Sequence, residues 1–339
     1  MAKNFTQAEC FQIGLAGDIK TECFQIGLIK IEKVAREMTK QKSKKTVVLS
    51  QIFYPVSIGR YFEAALKRRS DIDLINVGPY TGNMIPWNNG MVLPQKYAMA
   101  PTITLPIGTP HVPISFIENQ IAEKPDLWLQ IDSGFYLEGR PQNGKNVIVA
   151  TDPHVLNYDR QRTFADTFFC MQACYAKAGD EYLPYAYDPI WHAPEDQERL
   201  FDVCLLGLHY IQRNLLVNRL RQEGVKVYYD LGPSFDEARA IYNQAPVGIN
   251  WSSKDDLTAR VFELLGMRRL AVVNTVPDLP KFFRDGRDLV TFTGVAEATE
   301  KILHYLANED QLRAIATQGH KTVKPHTWDN RINTILEGI

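Results

Sequence analysis

Beyond a polar stretch that ends near residue 45, apolar and polar positions alternate in two successive sets. TVVLSQ (46–51) and DIDLINVG (71–78) are short apolar runs rich in β-branched residues, and they predict strands. Between them, SIGRYFEAALKRR (57–69) places its apolar residues at helical spacing. The stretch 79–110 is rich in Pro, Gly and Asn and predicts a long irregular connection, a kind of loop that is often functional. PISFIENQIAEK (113–124) predicts a helix. PDLWLQID (125–132) and NVIVATDPH (146–154) predict strands, and TFFCMQA (167–173) and EYLPYAYDP (181–189) predict shorter ones.

The second set opens at Phe201. FDVCLLG (201–207) predicts a strand, and HYIQRNLLVNRLRQEG (209–224) a helix closed by Gly224. Strand VKVYYDLG, helix SFDEARAIYNQ, strand APVGINWS, helix LTARVFELLGM and strand RLAVVNT follow in order. Successive strand–helix–strand units predict a parallel sheet with helices on both faces. Two such sets predict an α/β chain of two Rossmann-like, doubly wound domains facing a cleft. The first spans 46–190 and the second 191–322. The segment 309–338 predicts helices, and 323–339 is a candidate for crossing back to the first domain.

Residues 1–45 stand apart. AECFQIGLAGDIK (8–20) and TECFQIGLIKIEK (21–33) form a tandem repeat of period 13, followed by a basic, polar linker. Two short copies are too few for a solenoid. They predict a helical arm made by local duplication, with self-association as the alternative role.

Length and composition agree with two domains. The chain has 339 residues, 45% hydrophobic and 23% charged, an ordinary globular balance. No apolar run approaches the roughly 20 residues of a membrane span. The first residues lack the pattern of a secretory signal. A cytoplasmic location is the expectation. The formal net charge of -1 provides no global field toward nucleic acid or membrane. Five cysteines (Cys10, Cys23, Cys170, Cys174, Cys204) show no framework spacing and are expected to be reduced. No His or Cys pair completes a zinc site around Cys170 and Cys174.

The richest chemistry lies in 245–290. The strand end Asn250-Trp251-Ser252 leads through acidic and basic residues into a helix that presents Arg260 and Glu263. In an open parallel sheet, ligands bind outside the carboxyl ends of the strands. A helix N-terminus there can hold a phosphate, and an Arg can clamp it through two parallel hydrogen bonds. A carboxylate one turn further on can accept two hydrogen bonds from a ribose diol. The plainer alternatives are a solvated helix charge for Glu263 and a surface salt bridge for Arg260. Gly207 ends its strand and Arg213 follows six residues later. They are candidates for close approach of a donor and for a diphosphate contact, against an ordinary strand-end glycine and a helix surface charge.

These residues resemble the donor-binding half of GT-B glycosyltransferases, especially the CgeB-like spore-maturation type. Arg260-Val261-Phe262-Glu263, Gly266, Asp278-Leu279, Phe283, Gly286, His326-Thr327-Trp328 and Arg331 stand in that family's order. The resemblance covers 201–339 well and the middle of the chain loosely. It implies a GT-B fold and transfer of a sugar from a nucleotide-sugar, with a UDP-sugar as the first expected donor. It also implies that the diphosphate is held by dipoles and cations of the protein, with no essential metal and no further cofactor. Many retaining members carry two acidic residues eight positions apart. Asp255 and Glu263 have that spacing, with Asp in place of the usual Glu. Asp255 reads equally as a helix cap.

In the first domain, Thr151-Asp152-Pro153-His154 ends a strand. Asp152 or His154 there can take a proton from an acceptor hydroxyl, or simply build the turn before Pro153. Asp132 is a second base candidate. Gly59 is a candidate close-approach loop after the first strand, or plain helix-start geometry. Asp71-Ile72-Asp73 fits the acidic pair of metal-dependent transferases but opens a strand far from the donor segment, and reads as solvated. No Walker or Gly-x-Gly-x-x-Gly motif occurs. Three alternatives keep the architecture: a sugar-nucleotide 2-epimerase, a non-catalytic sugar-nucleotide-binding protein, and a transferase whose acceptor is DNA, met by Lys67-Arg68-Arg69 and the lysines at 42–45. The acceptor is otherwise a glycan, a protein or another hydroxyl compound.

Overall fold

A computed structural model describes residues 44–85, 90–232 and 234–338. Lys45–Ile339 forms one compact unit. The N-terminal repeat, Cys10, Cys23 and the expected helical arm lie outside the described residues.

The first half runs β1 (Lys45–Ser50), α1 (Gly59–Lys67), β2 (Ile72–Pro79), β3 (Met84–Ile85), β4 (Met91–Val92), β5 (Ile103–Leu105), β6 (His111–Pro113), α2 (Ile114–Glu118), β7 (Leu127–Asp132), β8 (Tyr136–Glu138), β9 (Lys145–Ala150), α3 (Asp159–Arg162), β10 (Thr167–Cys170) and β11 (Glu181–Tyr182). The second half runs β12 (Val203–Leu206), α4 (Ile211–Gln222), β13 (Val227–Asp230), α5 (Asp236–Asn243), β14 (Val247–Asn250), α6 (Ala259–Gly266), β15 (Leu270–Asn274) and β16 (Val290–Phe292). Three helices close the chain: α7 (Val295–Ala307), α8 (Glu309–Val323) and α9 (Trp328–Glu337).

The first sheet has seven parallel strands in the order β11-β10-β9-β7-β1-β2-β5. The second has five parallel strands in the order β13-β12-β14-β15-β16. Each order reverses once, at β1/β7 and at β12/β14, where Val47 pairs with Leu127 and Val203 with Val247. A strand order that reverses leaves a crevice at the carboxyl ends of the two strands, because their connections leave in opposite directions. The chain therefore carries two crevices.

Side-chain alternation along the strands explains why both sheets are buried on both faces. In the second sheet, Cys204, Leu206, Ala271 and Val273 enter one core, while Val203, Leu205, Val247, Ile249, Leu270 and Val272 enter another. In the first sheet, Val47, Leu49, Leu127 and Leu129 face the same large core as Cys204 and Phe262, and Val48 and Trp128 face away. One apolar core is thus continuous through both halves.

Two differences from the sequence-based expectations concern segments with weak periodicity. The helix expected over 113–124 is only the five-residue α2, and the connection 79–110 contributes β5 to the main sheet. A third concerns α7, a 13-residue amphipathic helix that the alternation did not single out.

The chain crosses between the sheets at 183–202 and returns through α9. Arg331 of α9 donates from Nε to the carbonyl of Pro184 (2.8 Å) and from Nη2 to that of Tyr185 (3.0 Å). The Trp328 and Tyr187 backbones also join: Trp328 N–H donates to Tyr187 O, and Tyr187 N–H to His326 O. Trp328 is fully buried, stacked on Tyr61 (5.6 Å between centroids) and tilted against Phe62 of α1 (5.0 Å). Arg68 bonds both Asp188 of the outward crossing and Asp329 of the return. Arg69 is shared between Asp71 and Asn333. The basic run at 67–69 thus serves the fold.

His326 packs among Phe262, Phe282 and Phe283. Burial, reinforced by the adjacent Arg331 charge, pushes its imidazole down to about 4. Its neutral form therefore stabilises the fold above pH ~6.5, the unfolded value, and that contribution is lost progressively as pH falls toward 4. Buried His192 is shifted in the same direction. Equilibrium urea unfolding should lose stability between pH 6.5 and 4, and a His326→Gln variant should show a shallower slope across that window. An unchanged slope would show that His326 does not carry the effect.

Candidate active site

A cavity of about 500 Å³ lies where the carboxyl ends of the two sheets face each other. From the second half, Gly207, Arg213, Asn250, Arg260 and Glu263 line it. From the first half, Asp152 and His154 do. Seven of the ten residues singled out above are therefore gathered on one surface, although they come from five separate segments.

Arg213 lies on the first turn of α4, whose apolar Leu216, Val217 and Leu220 anchor the helix in the core. Its guanidinium crosses the strand-order reversal. Nε and Nη2 donate to Trp251 O (2.9 and 2.6 Å), and Nη1 donates to Leu208 O (3.1 Å). Gly207 makes this possible. It holds φ 143°, a region that favours glycine, and a Cβ there would stand 2.7 Å from Arg213 Nη1. Burial, and then the nearby Arg260 charge, lower the Arg213 pKa. Its acceptors are all neutral carbonyls, so its charge is held in place without being neutralised.

Arg260 differs. Its Nε pairs with Glu263 Oε2 at 2.8 Å, and Nη1 donates to Leu206 O (3.0 Å) and to the Tyr242 hydroxyl. Burial alone would lower its pKa, but Tyr242 and Glu263 outweigh that and raise it. Glu263 Oε1 faces the Tyr61 hydroxyl at 3.4 Å and His192 Nε2 at 3.6 Å. Burial opposes ionisation of Glu263, yet His192, Arg260 and Tyr61 hold its carboxyl below the usual range. His192 Nδ1 accepts the Asp188 N–H (3.0 Å), so the ring proton sits on Nε2, toward Glu263. Burial lowers the pKa of the ring against the pull of Glu263 and Asp188.

Helix α6 opens on this surface without a side-chain cap. Thr258 Oγ1 donates to Asn250 Oδ1 (3.2 Å) instead of accepting from the first turn. The positive end of the helix dipole is therefore left for another acceptor. Asn274 supports the same strand ends by accepting Ser252 N–H (2.8 Å) and donating to Ser252 Oγ (3.1 Å).

On the opposite wall, Asp152 Oδ2 accepts the Thr151 hydroxyl (2.7 Å). His154 carries a buried Nδ1 with no hydrogen-bond partner among the described residues.

Three candidates lie elsewhere. Asp132 is buried behind the wall, its Oδ1 accepting Gly134 N–H and its Oδ2 the Gln161 amide. Burial pushes its carboxyl up to about 6 against those two bonds. It braces the loop and does not line the cavity. Gly59 starts α1 against the Gln51 side chain, where a Cβ would overlap Gln51 Oε1. Asp255 is exposed, at φ 55°, and its neighbour Asp256 lines the cavity instead. Asp71 of the acidic pair bonds Arg69. Among the described residues, no group of three or more His, Cys, Asp or Glu is placed to hold a metal ion.

Sequence reasoning missed Tyr61, His192, Tyr242 and Asp256. Tyr61 and Tyr242 read as core positions of amphipathic helices. His192 falls between the two alternating sets, where no period assigns it a face. The spacing rule that selected Asp255 passed over Asp256 by one position.

The His326-Thr327-Trp328 and Arg331 signature also takes a structural part. Thr327 caps α9 by accepting Asn330 N–H (3.2 Å), and the other three build the crossing described above. Gly266 lets the Tyr187 ring lie on α6, and Asp278 accepts Ala173 N–H (2.6 Å).

Residues 206–337 match a family model described as glycosyl transferase-like. The sequence finds no match among curated proteins. Solved structures of similar fold include a glycosyltransferase from Rickettsia africae (TM-score 0.60, 10% identity, covering 87% of this chain and 97% of that one). HepE of Anabaena, solved with UDP-glucose, superposes with TM-score 0.58 at 10% identity, over 87% of this chain and 100% of that one. A sucrose-phosphate synthase from Thermosynechococcus elongatus gives TM-score 0.56 at 10% identity, over 87% and 99%. At these identities the likeness establishes architecture: the fold is GT-B, two Rossmann-like bodies around one cavity. No helix among the described residues is long and apolar enough to cross a membrane.

Proposed function

We propose that the protein transfers a glycosyl group from a nucleoside-diphosphate sugar, a UDP-sugar being the first to test, to an acceptor hydroxyl in the shared cavity. The observation that carries this is Arg213: a guanidinium anchored on neutral carbonyls and not neutralised, beside the uncapped N-terminus of α6. A fixed positive charge and an open helix dipole lining one cavity suit a diphosphate. Arg260 adds a second cation whose charge Glu263 already balances. In this assignment Glu263 takes the ribose diol, and Arg213 and the α6 terminus stabilise the charge that develops on the departing diphosphate. The family match over 206–337 and the UDP-glucose complex of a protein of like fold support the same assignment.

The opposite wall supplies the acceptor chemistry. Asp152, with Oδ2 held by Thr151, would accept the proton of the attacking hydroxyl, and His154 with its unpartnered Nδ1 is the neighbouring alternative base. A base facing the donor across the cavity suits direct, inverting displacement. Because the protein's own cations meet the diphosphate, transfer should persist in EDTA. The CgeB-like type remains the subgroup that the motif order favours.

A thermal-shift screen with UDP-, GDP-, CMP- and dTDP-sugars tests the donor assignment. A ligand at 100 times its Kd stabilises by about 2.7 kcal/mol. No shift with any of them would remove the proposal. Product analysis with and without acceptors then separates transfer from epimerisation.

Gly207→Ala should displace Arg213 and weaken nucleoside-diphosphate binding about 10- to 100-fold in calorimetry, the scale of one lost charged hydrogen-bonding group. Binding within twofold of wild type would dissociate Arg213 from the diphosphate. Asp152→Asn should lower kcat by about 10²–10⁴ while leaving nucleotide affinity unchanged. A larger loss on His154→Gln than on Asp152→Asn would move the base to His154.

A further inference from the structure

Glu263 is held by contacts of two different strengths, and the weaker ones come from outside its own helix. Oε2 receives Arg260 at 2.8 Å, a full charge-assisted bond from the preceding turn of α6. Oε1 faces Tyr61 of α1 at 3.4 Å and His192 of the 183–202 crossing at 3.6 Å. The first of these distances is at the outer edge of hydrogen bonding and the second is beyond it. A carboxylate oxygen has two acceptor directions, and two donor groups stand near this one oxygen.

Neither donor is free to follow the carboxylate. The Tyr61 ring is stacked on Trp328 (interplanar angle 9°) and edged by Trp191 (5.4 Å). His192 is pinned through Nδ1 by the Asp188 amide, and Asp188 is itself bonded to Arg68 and to the amides of Ile190 and Trp191. Both groups are held by their own neighbours, and each places one donor atom near Oε1. A ribose hydroxyl that binds Oε1 must take the place of one of them.

We propose that Tyr61 and His192 are positioning residues of the donor subsite. They present Oε1 with two long, exchangeable donor contacts and yield it to the hydroxyls of the nucleotide's pentose. The exchange is between unequal partners: a poor hydrogen bond at 3.4 Å gives way to an unstrained one from a mobile hydroxyl, while the short Arg260 bond keeps the carboxylate oriented. Because Tyr61 belongs to the first sheet's α1 and Glu263 to the second sheet's α6, pentose binding also loosens a contact between the two halves.

The inference rests on Glu263 as the pentose ligand, and the experiment separates the two claims. Affinities of UDP and 2′,3′-dideoxy-UDP are measured by calorimetry for wild type, Glu263→Gln and Tyr61→Phe, with thermal melting to confirm that each is folded. If another nucleoside diphosphate is the better ligand in the donor screen, it and its dideoxy counterpart are used. Wild type should prefer the ribonucleotide at least tenfold, and Glu263→Gln should erase most of that preference. Wild type binding both alike would refute the pentose assignment and this inference with it. Given the preference, Tyr61→Phe should bind UDP about two- to fivefold more tightly with dideoxy-UDP unchanged, because one competitor for Oε1 is gone. An unchanged or smaller preference in Tyr61→Phe overturns the inference while leaving the pentose assignment standing. A general packing defect would weaken both ligands by the same factor.

Discussion

Arg331 ties together the two places where the chain passes between the sheets that border the cavity. Its guanidinium donates to carbonyls at 184 and 185 on the outward crossing, and the helix that carries it lies along α1 of the first sheet. Buried among neutral acceptors, it is lowered by desolvation to a pKa of about 10 and so remains cationic at neutral pH. A charge kept in such a place is costly unless its hydrogen bonds are met. Here they are met by backbone on the other crossing, so the cost falls due only if the crossings separate. Trp328 adds apolar burial at the same seam. Two sheets that each bury both faces would otherwise be two independent bodies. The continuous core and this seam turn their two crevices toward one another.

Three arginines of the cavity and the seam, Arg331, Arg260 and Arg213, have been given different work by their partners. Arg331 bonds carbonyls away from the cavity and serves the fold. Arg260 is paired with a carboxylate on its own helix, so the pair contributes shape and orientation more than net charge. Arg213 bonds carbonyls as well, but at the cavity wall, where its charge remains available. The distinction lies in which acceptors surround each guanidinium. It explains why the anionic part of a ligand is assigned to Arg213 and the neutral diol to Glu263.

Much of this was legible in the residue pattern. The alternation of apolar runs recovered most strands of both sheets, because strands buried on both faces leave a dense, unbroken signal. The strand ends at 207, 250 and 151–154 were legible because a parallel sheet must put its chemistry at its carboxyl edge. What escaped belonged to geometry that no local period encodes. His192 acquires its role from the Asp188 amide and from Glu263, 71 positions further on. Asp132 and Asp152 have the same chemistry at equivalent strand ends, yet one turns behind the wall and the other into the cavity. At adjacent positions, Asp255 is exposed with φ 55° while Asp256 lines the cavity.

The sequence signature that resembles glycosyltransferases divides accordingly. Its first part, Arg260 to Glu263, lies on the cavity. Its last part, His326 to Arg331, lies on the seam behind it. These two parts pack on one another, since His326 rests on Phe262 and Trp328 on Tyr61, which in turn reaches Glu263. A change at the seam is therefore transmitted to the carboxylate through two rings in van der Waals contact. Contact between the two parts gives a physical reason for the C-terminal residues of the motif to accompany Arg260 and Glu263.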